Sequence, residues 1–235
     1  KIFLVLGGWV ESYYLDEAMS SYATRATLIS QLKTFLIDND LDGVDVDWEG
    51  YNGPVVTAHY ASFLQELNTA LAGTDLGVSA TINPNHTSLA SAFAANTDFV
   101  QLMTYDHVAS GTHYPLSTMK SKVNSWVSAG MKKQNIVVGM PMYSRPGIWG
   151  VTPSAVTYRN IVSANPSLSP SADSVSYSGT TQYFNGLDTI KAKSEYAKKD
   201  GLQGVMFWEI GQDVPLSHPM SLLSAAAETI GVNPN

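Results

Sequence analysis

A chain of 235 residues with 44% apolar side chains can bury one sizeable α/β core, and its 14% charged content sets it apart from disordered chains. Thirteen basic against 20 acidic residues, a net charge of −7, leave no clustered positive charge for a phosphate backbone, which excludes nucleic acid as a partner. The absence of Cys removes disulfides and thiolate metal sites, and no apolar run reaches the length of about 18 residues that a membrane span needs.

The opening "KIFLVLGGW" has one basic residue and no small-residue cleavage site, so it reads as a strand rather than a signal peptide. Leu28, Leu32, Phe35 and Leu36 follow at helical spacing, and "GVDVDW" from Gly43 reads as the next strand. A second helix is predicted through Tyr60, Phe63, Leu64, Leu67 and Leu71, then the strands "GVSATI" from Gly77 and "FVQLMTY" from Phe99. Met119, Val123, Trp126 and Val127 mark a third helix before "NIVVGMPMY" from Asn135. Residues 147–186 change texture to Ser, Thr, Asn, Pro and Gly with scattered Trp149, Tyr158, Tyr177 and Tyr183, an elaborated loop rather than a second domain. "GVMFW" from Gly204 completes six strands, and Gly73, Gly130 and Gly201 stand where helices should stop.

Strands alternating with amphipathic helices imply a parallel sheet covered by helices, closed as a barrel or doubly wound. No G-x-G-x-x-G opens a helix, which disfavours a nucleotide-binding sheet. Polar groups gather at the C-terminal strand ends, in "VDWE", "MTYD", "MYSR" and "FWE", as in a (β/α)8 TIM barrel with its site at the top face. One catalytic domain over 1–235 is the resulting expectation.

The densest chemistry is "LDGVDVDWEG", Leu41 to Gly50. On a strand Asp45, Asp47 and Glu49 share a face, with neighbours about 6.5–7 Å apart, while Val44, Val46 and Trp48 share the other. If the apolar set meets the helices, the acids line the interior, where three ionised carboxylates are costly and some must retain protons. A lone D-x-D is most often a solvated strand end, but strict alternation ending in Glu argues against that here. A Ca²⁺ loop needs a Gly at position 6 and a Glu at position 12, which this stretch does not supply. The remaining reading is proton handling, in which a neighbouring acid raises the pKa of Glu49 so that it donates a proton near neutral pH. The five His show no metal-ligand spacing, so neither metal nor other cofactor is expected.

"DGVDVDWE" resembles the D-G-x-D-x-D-x-E signature of glycoside hydrolase family 18, the chitinases and endo-β-N-acetylglucosaminidases. In family order, "LGGW" at Leu6 resembles the third-strand motif, "QLMTYD" at Gln101 the sixth, "GMPMYSR" at Gly139 the seventh and "GVMFWEIGQD" at Gly204 the eighth. The resemblance implies that Glu49 protonates the glycosidic oxygen, that Asp47 orients the substrate's acetamido group, and that Asp45 sits behind Asp47. The acetamido oxygen then attacks the anomeric carbon, giving an oxazolinium ion and retention. By the same resemblance Tyr105 holds the acetamido group, Met103 and Asp106 shape that subsite, Trp208 floors the sugar, and Tyr143, Arg145 and Trp9 bind substrate. Asp42 lies off the parity and is read as structural; His107 and His113 are read as surface or structural residues near Asp106.

Val5 stands where the family carries a Ser that supports the innermost acid. The 147–186 stretch is too short for the insertion domain that deepens the cleft in many relatives, so an open cleft and endo action are expected. The motifs begin at the third strand, which implies an N-terminally incomplete barrel with exposed edges at Ile2–Leu6 and Val205–Trp208. The whole reads as a secreted, monomeric chitinase-type hydrolase of β-1,4-linked N-acetylglucosamine polymers. The rivals are an endo-β-N-acetylglucosaminidase acting on N-glycans and a chitin-binding lectin; such lectins typically lose the Glu.

Overall fold

The computed structural model describes residues 1–9, 11–49, 54–148 and 150–233, so Trp149 and Gly50 lie outside the described residues. All six strands expected from the sequence form: β1 Phe3–Gly7, β2 Gly43–Asp47, β3 Gly77–Ile82, β4 Phe99–Leu102, β5 Ile136–Pro141 and β6 Gly204–Trp208. The chain divides into two compact units, one of residues 1–102 with 123–136 and one of 103–122 with 137–235.

In the first unit β1, β2, β3 and β4 pair in that order, all parallel, with Val5 opposite Asp45 and Asp45 opposite Ser79. Every residue of β2 is buried, the signature of a parallel strand covered on both faces. Outside it runs an aromatic chain: Trp48 meets Tyr60 at 5.1 Å, Tyr60 meets Phe93 at 5.2 Å, and Phe93 meets Trp126 at 5.8 Å. Four such rings in mutual edge or tilted contact, all fully or nearly fully buried, fix the helix layer against the back of β2. The Tyr60 hydroxyl donates to the Val46 carbonyl at 2.9 Å, so the outer face of the acidic strand is pinned as well as covered. Asp42 links the strand starts, its Oδ2 accepting from Ile2 N at 2.6 Å, as a structural residue should.

Helix Tyr22–Asp38 is rotated from the expected face. Its buried stripe is Arg25, Ile29, Leu32 and Leu36, while Leu28 is half-buried and Phe35 is 48% exposed. Leu28 and Phe35 lie one residue, about 100°, off that stripe. Arg25 makes a forked pair with Glu66 at 2.9 and 2.8 Å and donates to the Met19 carbonyl, so a charged residue shares the buried stripe. In the helix Pro54–Leu71 the expected face is intact, with Tyr60, Phe63, Leu64 and Leu67 fully buried. Gly73, Gly130 and Gly201 all have positive φ just beyond helix ends, as expected.

In the second unit β5 and β6 pair in parallel, Gly204 opposite Val137. Residues 147–186 carry more order than a loop: a helix, Tyr158–Ala164, and two strands, Ser174–Tyr177 and Thr180–Tyr183, the latter pairing antiparallel with Arg145–Pro146. Among the described residues β1 pairs only with β2 and β6 only with β5, and Ile2, Val5 and Trp208 are 66%, 53% and 52% exposed, so both expected edges carry apolar surface.

Candidate active site

The acids sit where strand parity places them. Asp45 and Asp47 belong to β2 and are 3% and 8% exposed; Glu49 follows two residues beyond the strand and is half-buried. Val44, Val46 and Trp48 take the opposite face and are buried against the helices.

Asp45 is saturated. Ser79 Oγ donates to its Oδ1 at 2.6 Å, Thr81 Oγ1 to its Oδ2 at 2.7 Å, and Gln101 Nε2 to its Oδ1 at 3.1 Å. Val5 offers nothing, but the next two strands supply what the missing Ser would have given. The alternation S-x-T in "GVSATI" puts both hydroxyls on the acid-facing side of β3, a signal that was present in the sequence.

Asp47 is the reverse case. Its Oδ1 is buried and has no hydrogen-bond partner among the described residues, and its carboxyl is pushed up to about 7 by burial first, then by the charges of Glu49 and Asp45. The sequence led to an expectation of raised proton affinity at Glu49; the structure shows burial raising it at the middle acid, Asp47. A carboxyl that titrates near neutrality and keeps an unused acceptor in a dry setting is organised to receive a donor from a ligand.

The same shift fixes a pH dependence of stability. The folded pKa exceeds the ordinary Asp value, so Asp47 favours folding in its protonated form, and that contribution is lost as pH rises from about 4 through about 7. Asp47→Asn removes the ionisation. Thermal melts should show the variant several degrees more stable than the native chain at pH 8, with the gap closing at pH 4. A gap that is the same at both pH values would contradict the assignment.

The second unit holds its own cluster. Asp106, at φ +58°, accepts from the Tyr143 hydroxyl at 2.6 Å and from Arg145 Nε and Nη2 at 2.7 and 3.0 Å. Burial opposes its ionisation, but its contacts with His113, Arg145 and Tyr143 outweigh it and hold the carboxyl well below the usual range. His113 is fully buried. Its Nε2 accepts the Asp106 amide at 2.7 Å while Nδ1 faces the Tyr143 carbonyl at 3.2 Å, so the ring is neutral with its proton on Nδ1, and it holds Asp106 in the left-handed conformation. No periodicity in the sequence marks this role. His107 lines, with Asp106, Arg145, Ile148 and Ser154, a pocket of about 110 Å³. Tyr105 stands 6.5 Å from the Tyr143 ring, Met103 is half-buried beside it in sequence, and Trp208 is exposed at the end of β6. In the first unit Trp9, beyond β1, is 81% exposed. Among the described residues no three His, Asp or Glu side chains converge as metal ligands would.

Parallel strands flanked by helices, with carboxylates at the C-terminal end of a buried strand, define a barrel-type scaffold. The chain belongs to glycosyl hydrolases family 18, whose family model matches residues 1–213. It is 25% identical to "Chitinase 1" of Aphanocladium album over 98% of this chain and 66% of that protein, and 26% identical to "Endochitinase 1" of Metarhizium robertsii over 98% and 65%. The chain thus spans about two thirds of the length of these relatives. Among solved structures, a class V chitinase from Nicotiana tobaccum superposes with TM-score 0.84 at 20% identity, covering 99% of this chain and 81% of that one. A chitinase-like agglutinin from Robinia pseudoacacia gives 0.82 at 23%, covering 98% and 81%. The fold is therefore that of the (β/α)8 TIM barrel, with the six parallel strands found here forming part of it.

Proposed function

We propose that this chain is the hydrolytic part of a secreted, monomeric chitinase that cuts β-1,4-linked N-acetylglucosamine polymers internally and with retention. Glu49 gives a proton to the leaving oxygen. Asp47 receives the substrate's acetamido N–H and then faces the positive charge of the oxazolinium ring, and Asp45, held by three donors, sits behind it. The observation that carries this reading is the buried, unpartnered Oδ1 of Asp47 between one saturated acid and one half-exposed acid. In the second unit Tyr105, Met103, Trp208 and the Asp106–Tyr143–Arg145 cluster are assigned to sugar binding by the family motifs they match. Trp9 is assigned in the same way.

Support for the substrate comes from relatives. A class V chitinase of Nicotiana tobaccum is known in complex with NAG4, and one of Cycas revoluta in complex with (GlcNAc)3. The agglutinin on the same fold keeps a lectin reading in play; Glu49, in line with the strand acids, speaks for turnover. The test is product analysis on chitohexaose beside a high-mannose glycoprotein. Chitobiose, chitotriose and chitotetraose from the first, with an untouched glycoprotein, is the expected outcome. Released glycan with intact chitohexaose would move the assignment to an endo-β-N-acetylglucosaminidase, and no cleavage of either to a lectin.

A further inference from the structure

β2 ends at Asp47, yet the proposed acid is two residues further on. Something other than the strand ladder must hold it. β1, the neighbour that would continue the ladder, turns away at Gly7 and Gly8, at φ +106° and +104°. The approach there is close enough that a Cβ on Gly7 would lie 2.3 Å from the Asp47 carbonyl oxygen, so only glycine fits. Gly8 N still donates to that carbonyl at 2.7 Å, and the chain then folds into the short helix Glu11–Tyr14.

The turn returns Ser12 to the strand end. Ser12 is 3% exposed, its amide donates to Gly8 O at 3.1 Å, and its hydroxyl donates to the same carbonyl at 2.5 Å, with Asp47 O at 3.2 Å as a second, longer contact. A hydroxyl has one proton and two lone pairs. With the proton committed to backbone carbonyls, a lone pair accepts the Glu49 amide at 2.8 Å. One side chain therefore stands in for the missing ladder acceptor and ties Gly8, Asp47 and Glu49 together.

We infer that Ser12 is the positioning residue for the proton donor: its hydroxyl fixes the backbone of Glu49 relative to Asp47 and so sets where the acid can reach. The inference rests on the reading of Glu49 as general acid. General acids contribute roughly 10²–10⁴-fold, and a displacement of about 1 Å can forfeit much of that. The need for the acid depends on the leaving group. A sugar alkoxide leaves only with a proton, whereas a dinitrophenolate leaves well without one.

The experiment is steady-state kinetics of Ser12→Ala and Ser12→Thr on chitotetraose and on 2,4-dinitrophenyl chitobioside. For S12A the inference expects kcat on chitotetraose to fall by about tenfold with KM within about twofold, and kcat on the aryl substrate to fall by less than about threefold. S12T keeps the hydroxyl and should recover most of the loss; where its extra methyl is not accommodated, Ser12→Gly must reproduce the S12A pattern. Equal losses on both substrates, or none, overturn the inference, because a purely structural role lowers both alike. Glu49→Gln measured alongside separates the two levels. An inactive E49Q with an unaffected S12A sinks only the positioning role, and an E49Q that turns over chitotetraose at the native rate sinks the acid assignment and the inference with it.

Discussion

Glu49→Gln is expected to lower kcat on chitin oligosaccharides by roughly 10²–10⁴-fold while leaving their dissociation constants within a few-fold of native. An amide keeps the shape and hydrogen-bonding reach of the carboxyl but has no acidic proton, so the loss falls on the transition state alone. Glu49 is half-buried, and its amide is held by Ser12 at 2.8 Å, so the substitution leaves its backbone anchor in place. Calorimetric titration with chitotetraose against turnover on the same substrate separates the terms. Turnover within tenfold of native would remove Glu49 from the role of acid.

The second large effect concerns the nucleophile. If the substrate's acetamido oxygen attacks, a chitobiose-derived thiazoline, which copies the bicyclic oxazolinium ion, should bind at least about 10²-fold more tightly than chitobiose. Asp47→Asn should erase most of that advantage. The reason lies in the structure: the carboxyl of Asp47 is buried with an open acceptor, so a cationic ligand with an N–H gains both a hydrogen bond and a counter-charge there, and binding of such a cation should draw the proton off Asp47. A thiazoline carries no proton on its ring nitrogen near neutral pH, so the ion pair forms by transfer of the Asp47 proton to that nitrogen, and binding should weaken as pH rises above about 7 in the native chain and stay flat in Asp47→Asn. A thiazoline that binds no better than chitobiose, or a sugar trapped covalently on a carboxylate, would contradict the mechanism.

Much of this was legible in the chain. Strands buried on both faces read as unbroken apolar runs, which is why β1 to β6 could be placed from composition and period alone. The acid parity was legible for the same reason, since a period of two admits no other arrangement of 45, 47 and 49. Helix faces were less secure. Phe35 and Leu28 looked like core because they are apolar, but the forked Arg25–Glu66 pair, 41 positions apart in sequence, shares the buried stripe. Partners of the acids were legible only where they lie on strands, as Ser79 and Thr81 do. Ser12 and His113 act from a turn and a short hairpin whose paths depend on positive-φ backbone, at Gly7 and Gly8 for the one and at Asp106 for the other, and no periodicity announces such positions. Val5 does not leave Asp45 without donors for a related reason: one donor fewer on β1 says nothing about donors arriving from the strands on the other side.

The central claim is that the substrate's own acetamido group performs the displacement beside Asp47 while Glu49 supplies the proton. Attack from within the substrate, followed by water from the opposite face, the one the leaving group vacated, preserves the anomeric configuration by two inversions. Proton NMR of chitohexaose during the first minutes of hydrolysis, before mutarotation equalises the anomers, reads this directly. The account expects newly formed reducing ends to be β. New ends that are α, from the same native enzyme, would mean that water attacks the anomeric carbon directly, and the reading of Asp47 would be wrong.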